Sequence, residues 1–543
     1  MQHDDLVLTR ILDRARTLHP RGQIVTRMAE GDHRESYEEF GERVGRLASA
    51  LRDLGVGPAD RVGTFAWNTW RHLELYFAVP CMGSILHTLN IRLHPEQIAW
   101  IANHAEDKVV CVDASLMPVW EKVAPHLKTV EKVIVMGGEG SDLDYERLLD
   151  AASPDFAWPA LDEHDACAMC YTSGTTGDPK GVLYSHRSMV LHAMALNAAT
   201  CIGLTDKDAV LPVVPMFHAN AWGQPWAAAM VGAKQVYAGQ FSADPATLVD
   251  LIETEKVTVT EGVPTVWIGL LQYLEANPDR DISSIRLITA GGSAVPLSMI
   301  RTFSEKLGLE IVQGWGMTET GPVGSLSHLT PQLEELPAEE RFRVRAKAGR
   351  PVPGVRIRVM DMSTGEEAPW DGKSIGEVQI TGNWVASAYY NAPGSEDRFQ
   401  DEWLRTGDVG AIDEHGYLTL TDRTKDVIKS GGEWVSSIEL ENALMAHPAV
   451  LEAAVIGVPD PKWGERPMAC VVLKEGATAS ADELRAHLEP HFAKWWLPER
   501  IEFVSEVPKT SVGKFDKKVL RAQFASGGSS PVTRSVPSDL NRT

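Results

Sequence analysis

Long apolar runs are missing from this sequence of 543 residues. Nothing in it approaches the run of about 18 apolar residues that a membrane-spanning helix requires. The first 20 residues carry several charges and lack the apolar centre of a secretory signal. We therefore expect a cytoplasmic protein that does not insert into a membrane.

Positive charge is in deficit. The chain has 52 Lys and Arg residues against 74 Asp and Glu residues, which gives a formal net charge of −22. Such a charge repels nucleic acid and anionic membrane surfaces, so neither is an expected partner. An anionic substrate would have to be held by local positive groups.

Cysteine is scarce, with six residues scattered along the chain. The close pair is Cys167 and Cys170, and it lies in an apolar run. A structural zinc site would need a second such pair or nearby histidines. We therefore predict that both thiols are buried on a strand.

The pattern of apolar residues predicts an α/β fold in more than one domain, because the chain is too long for a single core of ordinary size. Short apolar runs separated by helix-length stretches are typical of doubly wound α/β units; they lie at 109–112, 133–136, 211–214, 257–260 and 285–288. From about residue 345, strands punctuated by Gly and Pro indicate a small β-barrel. Past residue 422 the pattern becomes a compact α+β module, with helices predicted near 436–445 and 481–488.

The most informative segment is YTSGTTGDPKGV, at 171–182. Its glycines allow the backbone to approach a ligand closely, and its hydroxyls and lysine are suited to phosphate oxygens; the residues concerned are Thr172, Ser173, Gly174, Thr175, Thr176, Gly177 and Lys180. A Walker A loop is excluded, because Pro179 precedes the lysine and Gly181 occupies the Ser/Thr position. An ordinary surface loop is the alternative.

Two carboxylates elsewhere in the sequence are suited to binding the metal and the ribose of a nucleotide. Glu319 follows Thr318 among glycines and offers a hard oxygen to Mg²⁺, although a Thr-Glu pair is also common at a solvated helix start. Asp408 follows Thr406 and Gly407, and its carboxylate can accept both hydroxyls of a ribose. Trp315 offers a flat face to adenine, or is a core residue.

Taken together, six segments resemble the AMP-forming acyl-CoA synthetases of the adenylate-forming family. Beside the segment at 171–182 they are PMFHANAW at 215–222, QGWGMTET at 313–320, RTGD at 405–408, DRTKDVIKSGGE at 422–433 and PKTSVGK at 508–514. The resemblance extends from about residue 8 to 525. The loop after residue 215 and the segment 226–230 are similar to the branch that ligates medium-chain fatty acids and 3-methylmercaptopropionate.

The resemblance implies an ATP-dependent ligase that joins a short- or medium-chain fatty acid, or a methylthio acid, to coenzyme A. An acyl-adenylate is the intermediate, AMP and pyrophosphate are released, and ATP, Mg²⁺ and CoA are required. Lys514, Thr318 and Glu319 are the implied catalytic residues, with Thr172 and Glu319 near the metal. Besides the phosphate loop, the implied ATP and AMP contacts are Gly292, Gln313, Gly314, Trp315, Gly316, Met317, Thr318, Asp408 and Arg423.

The remaining implied sites concern the acid and CoA. The acyl contacts are His218, Trp222 and Gly291, and Trp222 matches an aromatic gate of the acyl tunnel. The thioester-forming segment comprises Lys429, Gly431, Gly432, Glu433, Trp434 and Glu465.

The family's hinge corresponds to Lys425, which divides the chain into an N-terminal domain (1–424), a small mobile C-terminal domain (425–525) and a disordered tail (526–543). Three alternatives stay open: an aryl-CoA ligase, a transfer to a carrier-protein phosphopantetheine, and an adenylate-binding protein without catalysis. A homodimer is also open.

Overall fold

The computed structural model describes residues 4–138, 143–172, 178–423, 428–430, 433–460, 462–510 and 515–524. For Arg423, Lys429, Glu433 and Trp434 the description covers the backbone alone. The chain forms two compact units, Met1–Thr406 with Gly410–Leu420 and Gly407–Val409 with Thr421–Thr543. Within the described ranges no helix is long and apolar enough to cross a membrane.

Several helices begin after a residue whose side chain caps the first turn. In the second helix, Ser36 accepts a hydrogen bond from the backbone of Glu39, whose side chain bonds back to the N–H of Ser36. The helices of the described residues are α1 Leu8–Leu18, α2 Tyr37–Asp53, α3 Trp70–Cys81, α4 Pro95–Ala105, α5 Met117–Val123, α6 Tyr145–Ala151, α7 His186–Leu196, α8 Gln224–Val231, α9 Pro245–Glu255, α10 Pro264–Ala276, α11 Leu297–Leu307, α12 Pro331–Glu334, α13 Ala338–Arg345, α14 Ser437–Met445, α15 Ala481–Leu488 and α16 Lys517–Phe524.

The strands include or overlap every predicted apolar run, and Cys167 and Cys170 lie buried on one strand, as predicted. They are β1 Gln23–Met28, β2 Gly31–Ser36, β3 Arg61–Phe65, β4 Ile85–Thr88, β5 Asp107–Asp113, β6 Lys132–Met136, β7 Ala166–Tyr171, β8 Gly181–Ser185, β9 Ala209–Pro212, β10 Lys234–Tyr237, β11 Val259–Gly262, β12 Leu287–Ala290, β13 Ile311–Gly316, β14 Val323–Leu326, β15 Arg350–Pro351, β16 Val355–Met360, β17 Gly376–Gly382, β18 Phe399–Gln400, β19 Trp403–Ile412, β20 Leu418–Arg423, β21 Ile428–Ser430, β22 Glu433–Val435, β23 Val450–Asp460, β24 Gly464–Leu473 and β25 Arg500–Phe503.

Two mainly parallel sheets form the body of the first unit. The nine-stranded sheet has the order β15-β14-β13-β12-β11-β9-β10-β1-β2, and the six-stranded sheet has the order β6-β5-β3-β4-β7-β8. Four neighbouring strands, β9, β11, β12 and β13, run parallel, so their carboxyl ends meet at one edge. The predicted doubly wound α/β class is confirmed.

A smaller five-stranded sheet follows, in which β16, β17, β19 and β18 are neighbours and β20 pairs with β19. It is formed by the segments in which the sequence predicts Gly- and Pro-punctuated strands. The sheet of the second unit is built on β23 and β24, with α14 and α15 packed over its apolar face. The helix predicted at 481–488 is α15, with the same bounds.

A buried polar cluster lies beside α2 in the first unit. Glu35 on β2 and Glu74 on α3 are both buried, and Arg43 reaches both carboxyl groups, at 3.7 Å and 2.5 Å. Burial raises the pKa of Glu35 to about 8 and that of Glu74 to about 7, although Arg43 opposes both shifts. Ionisation of these carboxyl groups therefore disfavours the folded state.

We predict that Glu35→Gln reduces the loss of stability at alkaline pH. The folded-state pKa exceeds the ordinary value of 4.5, so the protonated carboxyl contributes stability that is complete below that value and is lost as the pH rises through about 8. Urea unfolding should show a fall on the order of 2 kcal/mol between about pH 6 and pH 9 in the native chain, and a smaller fall in the variant. Glu38→Gln, at an exposed position of α2, is the matched control. Identical pH profiles for the native chain and Glu35→Gln would refute the assignment.

Candidate active site

The carboxyl edge of the nine-stranded sheet gathers three of the predicted segments. The loop after β9 carries His218 and Trp222, the turn after β12 carries Gly291 and Gly292, and the segment after β13 carries Thr318 and Glu319. Loops that follow adjacent parallel strands form the usual ligand crevice of an open α/β sheet. These segments are close in space because the strands before them are neighbours.

The phosphate segment connects β7 to β8, and residues 173–177 lie outside the described ranges. At its base the N–H of Thr172 donates to the carbonyl of Lys180 at 2.9 Å, and the N–H of Lys180 donates to the hydroxyl of Thr172 at 3.3 Å. The Lys180 ammonium lies 4.9 Å from the centre of the Tyr389 ring. The loop is therefore closed at its base, with its lysine held over an aromatic face.

The same tyrosine holds the predicted metal ligand. The Tyr389 hydroxyl donates to Oε1 of Glu319 at 2.5 Å, and the N–H of Ala386 donates to the Glu319 carbonyl at 2.8 Å. Burial and the neighbouring carboxylate raise the pKa of Tyr389, so its phenol stays a donor at neutral pH. Tyr184, on the strand after the phosphate segment, donates to the Thr318 carbonyl at 2.7 Å. Tyr389 thus joins Lys180 to Glu319, a link that the sequence did not predict.

The donor set at this point fits Mg²⁺. Glu319 is buried, and its second carboxylate oxygen, Oε2, accepts no hydrogen bond from the described residues. The Thr172 hydroxyl accepts one bond from Lys180 and keeps a further lone pair. Carboxylate and hydroxyl oxygens are the ligands that Mg²⁺ takes beside substrate phosphates.

Two of the predicted nucleotide contacts, Gln313 and Trp315, lie on β13. The Gln313 amide is used within the protein: its oxygen accepts from Val295 N–H at 2.6 Å, and its nitrogen donates to the Ala346 carbonyl at 3.2 Å. Trp315 is 8% exposed, and a Cβ added to Gly324 would lie 3.0 Å from its ring. Both side chains pack into the protein, and contact with adenine by Gln313, Trp315, Gly292, Gly314, Gly316 or Met317 stays a prediction.

The predicted acyl residues come together. A Cβ added to Gly291 would lie 3.0 Å from the Trp222 indole and 2.9 Å from the Gly314 carbonyl, so the ring approaches a position that only glycine fits. His218 lies four residues before the tryptophan, is half-buried, and donates its N–H to the Pro215 carbonyl at 3.0 Å. The structure therefore places Trp222 directly against the turn that follows β12.

The backbone that carries Trp222 is strained. Ala219, Asn220, Ala221 and Trp222 have φ values of 45°, 52°, 46° and 52°, and Gly223 has 76°. This left-handed conformation costs non-glycine residues roughly 1–2 kcal/mol each and persists where surrounding contacts impose it. We call residues 219–223 the left-handed turn. No local sequence pattern indicates this turn, because glycine occupies only its last position.

Two asparagines hold this loop. Asn68, after β3, donates to the carbonyls of Pro212 and Val214 at 3.0 and 2.9 Å and accepts from Met216 N–H at 2.7 Å. Asn220, within the left-handed turn, is buried, and its side-chain oxygen accepts from the Tyr76 hydroxyl at 3.3 Å. Asn68 belongs to none of the six segments, and Asn220 lies within the segment 215–222 but has no role predicted from the sequence, so spatial contact alone identifies what these two residues do.

The second unit contains the predicted ribose and CoA residues. Asp408 is buried on β19, and Glu465 lies on β24, opposite Pro459. In the β21–β22 hairpin, Lys429 pairs with Trp434, and Ser430 pairs with Glu433. Arg423 ends β20. Lys425, Gly431, Gly432 and Lys514 lie outside the described residues, so their roles stay predictions.

The described residues on either side of Lys514 are fixed. Lys509 and Phe515 form a β-bridge, and Asp516 N–H donates to the Pro508 carbonyl at 2.7 Å. Lys517, at the start of α16, forms an ion pair with the buried Glu441 at 2.8 Å. The two ends of the segment that carries Lys514 are therefore held together.

We predict that Tyr389→Phe weakens Mg·ATP binding. The change removes the donor to Glu319 but keeps the ring beneath Lys180, and hydrogen bonds to charged groups contribute about 1.5–3 kcal/mol, which corresponds to about ten-fold or more in affinity. Titration calorimetry at several Mg²⁺ concentrations measures the effect. Tyr390→Phe makes the same change at the next residue and should bind as the native chain does. Equal affinity for all three proteins would contradict the role given to Tyr389.

Comparison with known proteins tests the resemblance found in the sequence. Residues 12–390 match the family model described as AMP-binding enzyme, and residues 439–514 match the AMP-binding enzyme C-terminal domain. A long-chain-fatty-acid–CoA ligase of Thermus thermophilus is 48% identical over 533 residues, which are 96% of each chain. A 3-methylmercaptopropionyl-CoA ligase of Ruegeria pomeroyi is 43% identical, over 96% of this chain and 98% of the relative.

A solved structure supports the same conclusion. The crystal structure of the anthranilate CoA ligase AuaEII in complex with anthranoyl-AMP superposes with a TM-score of 0.87 at 26% identity, and it covers 96% of this chain and 98% of its own. The fold therefore extends over both units. These matches confirm the resemblance to the AMP-forming acyl-CoA synthetases, and the chain belongs to the family of AMP-binding enzymes with its C-terminal domain.

Proposed function

We propose that this enzyme joins a carboxylic acid with an aliphatic or thioether tail to coenzyme A, with ATP as the energy source and an acyl-adenylate as the intermediate. The observation that carries the proposal is the position of Glu319. Tyr389 joins its carboxylate to the phosphate-loop lysine, on the sheet edge where Trp222 meets Gly291. The ligases named above, at 48% and 43% identity over nearly the whole chain, support the same reaction.

The chemistry takes two steps. A carboxylate oxygen of the acid attacks the α-phosphorus of ATP, and pyrophosphate leaves. The CoA thiolate then attacks the acyl carbon, and AMP leaves with the oxygen that came from the acid. A bound Mg²⁺, held by Glu319 and the Thr172 hydroxyl, would neutralise part of the triphosphate charge.

The side chains divide between these steps. Lys180 and Thr172 bind phosphate oxygens, Thr318 donates to the α-phosphate, and Asp408 accepts the ribose hydroxyls. Lys514 stabilises the charge that develops in the first step. The second step follows rotation about Lys425, which brings the segment 429–434 towards the thioester-forming position. A cytoplasmic location and a homodimer stay predictions.

The acyl tail of the acid is the part of the substrate for which the enzyme's specificity has to be explained. The left-handed turn offers Ala219, Asn220 and Ala221, none of which carries a negative charge to form an ion pair with a substrate ammonium, so an amino acid is disfavoured. The relatives act, by their names, on a long-chain fatty acid and on 3-methylmercaptopropionate. We propose a short- or medium-chain fatty acid, or a methylthio acid, with Trp222 limiting the length of the tail.

AMP release across a panel of acids in the presence of CoA tests the proposal. Hexanoate, octanoate and 3-methylthiopropionate should support CoA-dependent AMP release, and benzoate and glycine should support little. A preference for benzoate would favour the aryl-CoA alternative. Acyl-adenylate formation without CoA consumption would overturn the ligase assignment.

We predict that Lys514→Ala abolishes adenylate formation but leaves the second step largely intact. The lysine is needed where charge develops on the α-phosphate, and loss of such a donor costs roughly 10²–10³ in rate. Pyrophosphate exchange measures the first step, and CoA thioester formation from synthetic acyl-adenylate measures the second. Lys518→Ala, at an exposed position on α16, is the control. Equal losses in both steps would contradict the assignment of Lys514 to adenylate formation.

We predict that Trp222→Ala shifts the preference towards longer acids. The indole fills the space against Gly291, and its removal would admit further methylene groups. Each methylene that gains apolar contact contributes about 0.8 kcal/mol, or a few-fold in kcat/KM per carbon. Steady-state kinetics on acids of increasing length measure the shift. A chain-length profile identical to that of the native enzyme would reject Trp222 as the limit.

A further inference from the structure

A buried polar pair lies at the end of the left-handed turn. Gln224 is the first residue of α8 and Glu261 lies near the end of β11, and each is 1% exposed. With its amide nitrogen facing the carboxyl group, Gln224 donates to both Glu261 oxygens, at 3.1 and 2.8 Å. Burial raises the pKa of Glu261 well above its ordinary value. The pair avoids leaving two buried polar groups unbonded.

Glu261 also contacts the beginning of the loop that contains the turn. Its carbonyl accepts from the N–H groups of Val213 and Val214, at 3.0 and 3.2 Å. The loop therefore leaves the sheet beside the Glu261 backbone and, at Gln224, returns to the Glu261 side chain. One residue of β11 fixes both ends of the segment that carries Trp222.

The next residue of β11 continues this connection to the indole. The Gly262 carbonyl accepts from Gly291 N–H at 3.3 Å, and Gly291 is the residue against which Trp222 packs. The carboxyl group that anchors the loop therefore lies on β11, and the glycine that supports the indole directly follows β12, the strand paired with β11.

The other side of the turn is closed by His192 of α7. Its ring lies so near Gly223 that a Cβ there would be 2.6 Å from Nδ1, and Nε2 accepts from Val323 N–H at 3.3 Å. The ring meets Trp384 edge-on, with 5.5 Å between ring centres. The left-handed turn is thus confined between α7 and the Gln224–Glu261 pair, and this confinement offsets its backbone strain.

We propose that Gln224 and Glu261 are positioning residues that hold the left-handed turn so that Trp222 stays against Gly291, and that they thereby set the acyl chain length the enzyme accepts. The inference rests on the proposed function, because it assumes that Trp222 limits the tail. Without the pair, the strained turn relaxes and the indole leaves Gly291. The acid specificity then depends on two residues that do not touch the substrate.

Substitutions of the pair test this role through the chain-length profile. Glu261→Leu and Gln224→Leu should each change the ratio of kcat/KM for dodecanoate to that for hexanoate by about four-fold or more, the effect of at least one methylene. Glu261→Gln keeps a hydrogen-bonding partner for Gln224 and should retain the native profile. The double variant should differ from native no more than the larger single effect, because the pair acts as one unit.

Combination with Trp222→Ala separates positioning from general damage. If the pair acts through the indole, Glu261→Leu should produce no further shift in a Trp222→Ala background. Glu35→Leu, which removes a buried carboxyl from the edge strand β2, should leave the profile unchanged. Pyrophosphate exchange with hexanoate confirms that each variant is folded. If a leucine variant does not fold, Gln224→Met is used in its place.

The outcomes distinguish a failure of the positioning role of Gln224 and Glu261 from a failure of the role of Trp222. A shift with Trp222→Ala but a native profile for the folded pair variants would overturn the positioning role and leave the proposed function intact. No shift with Trp222→Ala would show that the indole sets no limit; it would overturn the inference and the role proposed for Trp222, whereas the ligase reaction itself is tested by AMP release. Additive effects of Glu261→Leu and Trp222→Ala would show that Glu261 acts independently of the indole, which also overturns the inference.

Discussion

The parallel register of four neighbouring strands is the constraint on which the site depends. Because β9, β11, β12 and β13 run in the same direction, every loop that leaves them emerges at one edge. The residues predicted to contact the acyl group, the adenylate and the metal, from His218 to Glu319, therefore lie on loops that emerge at the same edge. The Trp222–Gly291 contact and the position of Glu319 are both consequences of this strand order.

Close packing at that edge restricts the side chains there. A Cβ on Gly316 would lie 1.9 Å from the Pro322 carbonyl oxygen, so this position of β13 admits only glycine. Trp222 is brought to Gly291 at the cost of a left-handed backbone, which buried hydrogen bonds to Asn220 and Gln224 stabilise. The polar groups buried around the site thus fix the geometry of loops that would otherwise relax, as expected where strain is retained for function.

Local signals in the sequence predicted the α/β class, the helix α15 and the phosphate segment, and the family resemblance implied the acyl residues that meet at the site. Apolar periodicity, capping residues and glycine-rich loops act over a few residues, so they can be recognised from the sequence alone. Tyr389, His192 and the Gln224–Glu261 pair were missed because each acts on a partner distant in sequence. Such contacts follow from strand order and register, which no local pattern specifies.

In the proposed first step a carboxylate oxygen of the acid attacks the α-phosphorus of ATP. An acid labelled with ¹⁸O in both carboxylate oxygens, incubated with the enzyme, ATP, Mg²⁺ and CoA, tests this step. Mass spectrometry should find one ¹⁸O atom in each AMP and none in pyrophosphate, because AMP departs with the bridging oxygen of the acyl-adenylate. Label in pyrophosphate or phosphate, or unlabelled AMP formed together with the thioester, would contradict attack of the carboxylate on the α-phosphorus.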